Sequence, residues 1–357
     1  MSLAELVDPR TTEGVLYEKL PDNGVRCVAC GHRCLVRDGR RGICKVRFND
    51  GGTLRVPRGY VAALQCDPVE KKPFFHVLPG SDALTFGMLG CDFHCGYCQN
   101  WVTSQALRDE SAGTRPLDIT AEELVDYAER SGARLMVSSY NEPLITSEWA
   151  VEVFQHAAPR GLLTGFVSNG NATAEALDFV RPHAQCYKID LKTMNDRHYR
   201  QLGGVLQHVL DSIVMVHERG FWLEIVTLVV PGFSSDEGEL KAAAAFIAGV
   251  DRNIPWHVTA FHEDYKMHGM GDTTARSIVR ACEIGAGAGL TFVYAGNLPG
   301  RVGRWENTYC PSCGALLIER CGYTILSDRI GRAGRCAECG EGIGGIWRQG
   351  ERVRDEG

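Results

Sequence analysis

From about residue 84 the chain alternates short apolar, β-branched runs with amphipathic stretches. The runs at 84–89, 134–140, 165–169, 186–191, 222–230, 256–261 and 290–295 read as strands, and helical spacing fills the gaps between them. Thr120 with Glu123, and Ser234 with Glu237, fit capping boxes that open two of those helices. Connections this short demand parallel strands with right-handed crossovers, which predicts an α/β fold: a doubly wound sheet, or a full or partial barrel. In all of these, ligands bind at the C-terminal strand ends. Cys91, Asn141, Asn169 and Lys192 stand there or just beyond.

The flanks lack this rhythm and are rich in Gly, Arg and Cys. Three units follow: an N-terminal cysteine-rich module (1–80), the α/β barrel region (81–298) and a zinc-ribbon-like C-terminal module (299–357). Each flank is too small to bury much apolar area, so a metal is expected to hold its shape. The Gly-rich tail after Trp347 is expected to fray.

Composition narrows the class. With 44% apolar and 23% charged residues the chain is globular, and no run approaches the roughly 18 apolar residues of a spanning helix. The start MSLAELVDPR carries Glu5 and Asp8 and no apolar export core, so a cytoplasmic protein is expected. A net charge of -6 offers no field for nucleic acid or an anionic membrane. Fifteen cysteines in such a chain point to metal thiolates rather than disulfides. Cys66, Cys186, Cys282 and Cys321 fall outside the clusters and read as small buried residues.

The sharpest chemistry is CDFHCGYC, where Cys91, Cys95 and Cys98 directly follow the first strand. Three thiolates on one loop suit three corners of a four-iron cubane and leave the last iron open to a ligand; a zinc loop or three buried thiols are the plainer readings. Behind it, Asn141-Glu142-Pro143 ends the second strand and offers acceptors for an ammonium. Ser168-Asn169-Gly170 ends the third. Asp190 and Lys192 end the fourth, two residues apart and so on one side of the strand. Alone, each of these fits an ordinary turn or a salt-bridged strand end.

In the N-terminal flank Cys27, Cys30, Cys34 and Cys44 suit a closed tetrahedral zinc site, with a second iron-sulfur cluster as the alternative. In the C-terminal flank Cys310, Cys313, Cys336 and Cys339 form two CxxC knuckles, each followed by Gly, which is the pattern of a structural zinc ribbon. Its arginines are mixed with acids and not interleaved with aromatics, so a structural cap or docking module is expected rather than a nucleic-acid reader.

Taken in order, CDFHCGYCQNW, SYNEP, SNG, DLKTMND, LVVPG and AFH resemble the radical S-adenosylmethionine (radical SAM) core of the pyruvate formate-lyase activating enzymes. DPVEKKPFFHVLPGS, the flanking cysteines and TYCPSCGALLIERCGY are more similar to the AmmeMemoRadiSam system radical SAM enzymes, over nearly the whole chain. The resemblance implies a partial (β/α)6 barrel, a 4Fe-4S cluster on Cys91, Cys95 and Cys98, and SAM across the strand ends. It implies further that Tyr97 lies beside adenine, Asn141 and Glu142 at the methionyl amine, Ser168 and Asn169 at ribose or carboxylate, Asp190 and Lys192 at SAM polar groups, and His262 near the sulfonium. Val226 stands where activating enzymes resemble one another in carrying arginine, and Glu224 is a carboxylate at a strand centre with no assigned role.

The expected activity is reductive cleavage of SAM, with an external electron donor of flavodoxin or ferredoxin type, and hydrogen abstraction from a further molecule. Two substrate classes compete. A glycyl-radical activase acting on a partner protein needs a wide barrel mouth; a small-molecule enzyme has its mouth narrowed, for instance by the N-terminal flank. A zinc-binding regulatory protein without catalysis is the reading of another class.

Overall fold

The computed structural model describes residues 3–348 and 351–353. Its centre is one eight-stranded sheet of β1 (Ala63–Pro68), β2 (Asp82–Gly87), β3 (Leu135–Ser138), β4 (Leu163–Ser168), β5 (Cys186–Asp190), β6 (Trp222–Val229), β7 (Trp256–Ala260) and β8 (Val293–Gly296). The spatial order is the chain order, and every pair is parallel except β1 with β2. A doubly wound sheet reverses its strand order midway. Here the order never reverses, so successive right-handed crossovers lay their helices on one face and the sheet curls around the other as a partial barrel. Among the described residues, β1 and β8 do not pair with each other.

Helices α1 (Ala121–Arg130), α2 (Ser147–Ala157), α3 (Ala174–Val180), α4 (Asp196–Leu202), α5 (Leu206–Glu218), α6 (Glu237–Val250) and α7 (Ala275–Gly287) occupy the crossovers. The capping box at α1 forms as expected: Glu123 N–H donates to Thr120 Oγ1 (3.2 Å) and Thr120 N–H to Glu123 Oε2 (2.8 Å). The second expected box does not. Asp236 caps α6 by accepting from Glu239 N–H (3.0 Å), while Ser234 accepts from Val230 N–H and donates to Leu228 O, fastening the turn after β6. Phe154 of α2 meets Phe86 of β2 and Phe166 of β4 edge-on, and all three rings are buried, about 1.5–3 kcal/mol of transfer free energy each.

Inside the barrel the strands alternate with period two. Ala83, Leu135, Val137, Cys186 and Trp222 pack low down against Val69, Phe74, Val77 and Leu78 of the segment between β1 and β2, and against Ile346 from the C-terminal module. Glu224, one inward position above Trp222, is fully buried in this filling. It accepts from Phe75 N–H and His76 N–H (3.0 Å each), Trp222 Nε1–H (2.9 Å) and His257 Nε2 (2.7 Å). Its place is therefore structural: it ties the inserted segment to β6 and β7. Burial works to raise its pKa, but the His257 hydrogen bond and the nearby histidines keep it below the ordinary value.

The sheet reaches back to residue 63, upstream of residue 81, where the barrel region was expected to start. β1 is a half-exposed edge strand with no apolar alternation, so nothing in its residues marks it. The N-terminal flank folds as two three-stranded antiparallel sheets, Thr11–Glu13 with Thr53–Pro57 and Phe48–Asp50, and Tyr17–Lys19 with Val25–Cys27 and Leu35–Val36. Its Leu16, Val25, Val36, Leu54 and Val56 join the main barrel core instead of forming one of their own. The C-terminal module is a three-stranded sheet (Thr308–Tyr309, Leu316–Cys321, Thr324–Asp328) that packs Leu317, Ile318 and Ile343 against Phe75, Phe292 and Tyr294.

In the tail, Glu351–Val353 pairs with Gly345–Arg348; residues 349–350 and 354–357, where fraying was expected, lie outside the described residues. Of the four cysteines outside the clusters, Cys186 and Cys282 are buried, whereas Cys66 on the edge strand is half-buried and Cys321 beside a hairpin turn is exposed. Among the described residues no helix is long and apolar enough to cross a membrane.

Candidate active site

The cysteine loop leaves the top of β2 through two tight glycines. A Cβ on Gly87 would stand 2.3 Å from Ser139 O, and Gly90 adopts φ +86°. Cys98 N–H then bonds Cys95 O (3.2 Å), and Trp101 stacks on Tyr265 at 5.0 Å, which seats the far end of the loop. Burial raises the pKa of all three thiols, Cys95 to about 12 and Cys91 well above its ordinary value. Buried thiols of this kind become thiolates only with a cation to hold them.

Six of the expected residues converge on the three cysteines. A cavity of about 100 Å³ at the strand ends is lined by Cys91, Cys95 and Cys98 on one side, and by Asn141, Glu142, Ser168, Asn169, Asp190 and Lys192 on the other. A second cavity of about 350 Å³ adjoins it over the barrel mouth, sharing Cys95, Cys98, Tyr140, Asp190 and Lys192. Tyr97 lines this larger space, its ring buried and its hydroxyl without a partner among the described residues. Val226 lines it too. His262 does not join: it is exposed, accepts from Gln99 Nε2–H at 2.9 Å, and stands outside both linings.

Hydrogen bonds weld the strand ends together. Glu142 accepts from Ser168 Oγ–H (2.7 Å), Asn169 N–H (2.7 Å) and Leu144 N–H (3.1 Å), joining the ends of β3 and β4. Asn141 Oδ1 accepts from Met88 N–H (3.1 Å), joining β2. Asp92 accepts from Asn169 Nδ2–H (2.7 Å) and Asn171 Nδ2–H (2.8 Å), clamping the cysteine loop to the turn after β4. Burial, with Asp92 adding a like charge, pushes the Glu142 carboxyl up to about 8. Asn141 and Glu142 thus face the cavity while already serving as the clasp that shapes it.

The opposite wall is a charge triad. Asp190 receives Lys188 and, at 3.2 Å, Lys192. Burial works against its ionisation, but the two ammonium groups hold the Asp190 carboxyl down at about 2. Lys192 is likewise desolvated, and Asp190 with the Cys95 thiol keeps its pKa well above the ordinary value. Lys188 was missed in the sequence, although the period-two spacing of Lys188, Asp190 and Lys192 would have found it. Three further residues had no local signal. Lys72, buried, bonds Asp67 (3.0 Å) and Tyr140 OH (3.2 Å), and together with Tyr323 it closes over the larger cavity. Asp92 belongs to the clamp, and Tyr140 turns at φ +66°.

The remaining cysteines fall into two geometries. The sulfurs of Cys310, Cys313, Cys336 and Cys339 all lie within 4.8 Å of one another, with 3.5 Å between Cys310 and Cys339 and 3.7 Å between Cys313 and Cys336. Among the described residues this is the one set of three or more ligating side chains drawn so close. Cys27, Cys30 and Cys44 are buried and Cys34 half-buried in one neighbourhood, at wider spacing.

The Radical SAM superfamily profile matches residues 86–244, from β2 into α6. The uncharacterized protein MJ0808 of Methanocaldococcus jannaschii is 35% identical over 336 residues, 93% of this chain and 98% of that one. The pyruvate formate-lyase-activating enzyme of Staphylococcus aureus (strain USA300) is 24% identical over 191 residues, 49% of this chain and 72% of that enzyme. Among solved structures, a radical SAM methyltransferase from Sphaerobacter thermophilus aligns at TM-score 0.49 with 14% identity, covering 86% of this chain and 81% of that one. With a relative that spans nearly its whole length and a profile that begins on the strand feeding the cysteine loop, the chain belongs to the radical SAM superfamily, and it is an enzyme with homology to the activating enzymes.

Proposed function

We propose that this enzyme holds a 4Fe-4S cluster on Cys91, Cys95 and Cys98, cleaves SAM reductively there, and directs the resulting radical at a small molecule, as a member of the AmmeMemoRadiSam subgroup. The observation that carries this is the cavity in which the three thiols face Asn141, Glu142, Ser168, Asn169, Asp190 and Lys192. The residues fit the groups. Three buried thiols need a cation, and the orphaned Tyr97 hydroxyl beside Cys95 and Cys98 needs a polar partner of the kind an adenine offers. When bound, the cluster and SAM supply a 5′-deoxyadenosyl radical through one-electron cleavage of a carbon–sulfur bond.

The chain's own residues bind, orient and exclude water. Asn141 and Glu142 line the cavity where a methionyl ammonium would need acceptors. Ser168 and Asn169 stand at the next strand end for ribose or carboxylate. Asp190, held anionic by two lysines, suits sugar hydroxyls, and Lys192 suits a carboxylate. An external donor of flavodoxin or ferredoxin type provides the electron, and the cytoplasm is the compartment that keeps these thiols reduced.

A small substrate is favoured by the mouth. Lys71, Lys72 and Pro73 from the segment before β2, and Tyr323 from the C-terminal module, line the 350 Å³ space that a glycyl-radical activase would leave open to a protein loop. Val226 also stands in this wall. The C-terminal four-cysteine site is proposed to hold structural zinc, whose bond length of about 2.3 Å puts tetrahedral sulfurs about 3.8 Å apart.

Anaerobically purified protein, reduced with dithionite and given SAM, should form 5′-deoxyadenosine, and replacement of Cys91, Cys95 and Cys98 by alanine should abolish it. An iron-loaded, reduced enzyme that forms none would sink the enzyme reading in favour of a zinc protein without catalysis. Deuterium from labelled candidate substrates, found in the deoxyadenosine, identifies the hydrogen donor.

A further inference from the structure

Zinc was the expectation for Cys27, Cys30, Cys34 and Cys44. A single zinc ion pulls four thiolates onto one centre, about 3.8 Å apart, whereas a cubane spreads them over four separate irons. The molecule carries its own calibration of that difference. The C-terminal four are drawn together at 3.5 and 3.7 Å, within the span a zinc ion sets. The Cys91, Cys95 and Cys98 sulfurs, facing the SAM cavity, are not gathered to 4.8 Å, and neither are those of the N-terminal four. Neither wider set has the close spacing of the ribbon.

The wider N-terminal set is nevertheless one site. Cys30 lies in the field of Cys27 and Cys44, and Cys34 in that of Cys27. Ile43 N–H donates to Cys34 Sγ at 3.5 Å. Arg47, 1% exposed, donates to Cys27 Sγ at 3.8 Å while its other nitrogens hold Glu148 and Ile145 O. The guanidinium, shared between Glu148 and sulfur, supplies a hydrogen bond to a thiolate ligand in a site without exposure.

This site also abuts the SAM site directly. A Cβ on Gly90, the residue before Cys91, would stand 2.8 Å from Cys44 O. His32, inside the N-terminal set, meets Phe93, inside the loop of Cys91, edge-on at 6.3 Å. Gly31 N–H bonds Asn171 O (2.8 Å), and Asn171 in turn holds Asp92. Arg108 reaches Phe93 O (3.1 Å) and Ile43 O (2.5 Å), one carbonyl from each cysteine segment.

From the wide sulfur spacing, which one zinc ion does not suit, and the wall shared with the cysteine loop, we propose that Cys27, Cys30, Cys34 and Cys44 bind a second iron-sulfur cluster of the four-iron class, one residue layer from the SAM site. With four thiolates this cluster has no open corner. It is redox-active and inert to SAM.

The test uses the whole chain, reconstituted anaerobically with iron and sulfide. Wild-type protein should hold about eight irons per chain, and a variant with Cys91, Cys95 and Cys98 all replaced by alanine should stay brown with about four. Further replacement C30A and C34A should remove that iron. Mössbauer spectra of the wild type, which need no variant to fold, should show SAM shifting about one iron in eight, the open corner, where a single cluster would show one in four. A colourless triple-cysteine variant at wild-type circular dichroism, or a wild type with four irons and two zinc ions, overturns the proposal. Deoxyadenosine formation is measured separately: iron retained in the triple variant beside a wild type that makes no deoxyadenosine would refute the SAM-cleavage reading and leave the second cluster standing.

Discussion

His76 sits at the base of the barrel in a hydrogen-bonded chain whose two ends fix every proton. Arg320, an obligate donor, gives Nη1–H to Thr308 Oγ1 (2.8 Å), Thr308 and Tyr294 hydroxyls meet at 2.9 Å, and Tyr294 meets His76 Nε2 at 2.6 Å. At the other end His76 Nδ1 faces Gly344 O (2.7 Å), an obligate acceptor. The order that satisfies all of them runs Arg320 to Thr308 to Tyr294 to a neutral His76 that carries its proton on Nδ1. A second proton would oppose Tyr294 and enter a fully buried site, and that burial lowers the His76 pKa from 6.5 to about 4. The unfolded chain takes up a proton below pH 6.5 and the folded chain does not, so stability is full above that pH and falls as pH drops toward 4. The whole displacement is worth about 3 kcal/mol at 1.36 kcal/mol per unit, and about 1.4 kcal/mol of it is lost by pH 5.5. Urea unfolding of metal-loaded wild type and His76→Gln, followed at pH 7.5, 6.5 and 5.5, isolates this contribution because other groups titrate alike in both. The wild type should lose about 1.4 kcal/mol more than the variant across that range. Parallel pH curves would refute the neutral, desolvated histidine.

Glu142→Gln turns one carboxylate oxygen into a donor facing Ser168, Asn169 or Leu144, and should cost about 1–3 kcal/mol and weaken SAM binding in equilibrium dialysis. Arg47→Met strands Glu148, whose side chain is 9% exposed, and should cost about 3–5 kcal/mol in denaturant unfolding. Gly87→Ala drives a methyl to 2.3 Å from Ser139 O, so it should cost about 1–3 kcal/mol and lower deoxyadenosine yield through a displaced strand-end turn. Chelation of the C-terminal metal should lower the melting temperature of the whole chain, because Gly344 and Arg320 anchor that module to the barrel base; an unchanged melting temperature would separate the two.

The seven parallel strands were legible because each is largely buried on both faces and therefore rich in apolar and β-branched residues, and their ends were accurate to a few residues, least so at β8, which begins at Val293 after an irregular Thr291. The cysteine loop and the polar residues closing β3, β4 and β5 were legible as candidates because they stand at strand ends, and the fold draws them round one cavity. His262 lies outside both cavity linings because a short loop after β7 carries it outward to Gln99, a matter of loop path with no local code. Ser234 was misread as a cap because Asp236, two residues on, competes for the same helix and wins.

Period and spacing along the chain set the α/β alternation, the three sulfurs of the loop and the pairing of Asp190 with Lys192, since all of these depend on neighbours a few residues apart. Only the folded molecule decided that the sheet curls as a barrel instead of reversing, that Glu224 is a strut beneath residues 75 and 76, that Lys72 and Tyr323 roof the cavity, and that one four-cysteine set is tight and the other wide. Those are contacts between residues tens to hundreds of positions apart, and they exist only after the chain has closed on itself.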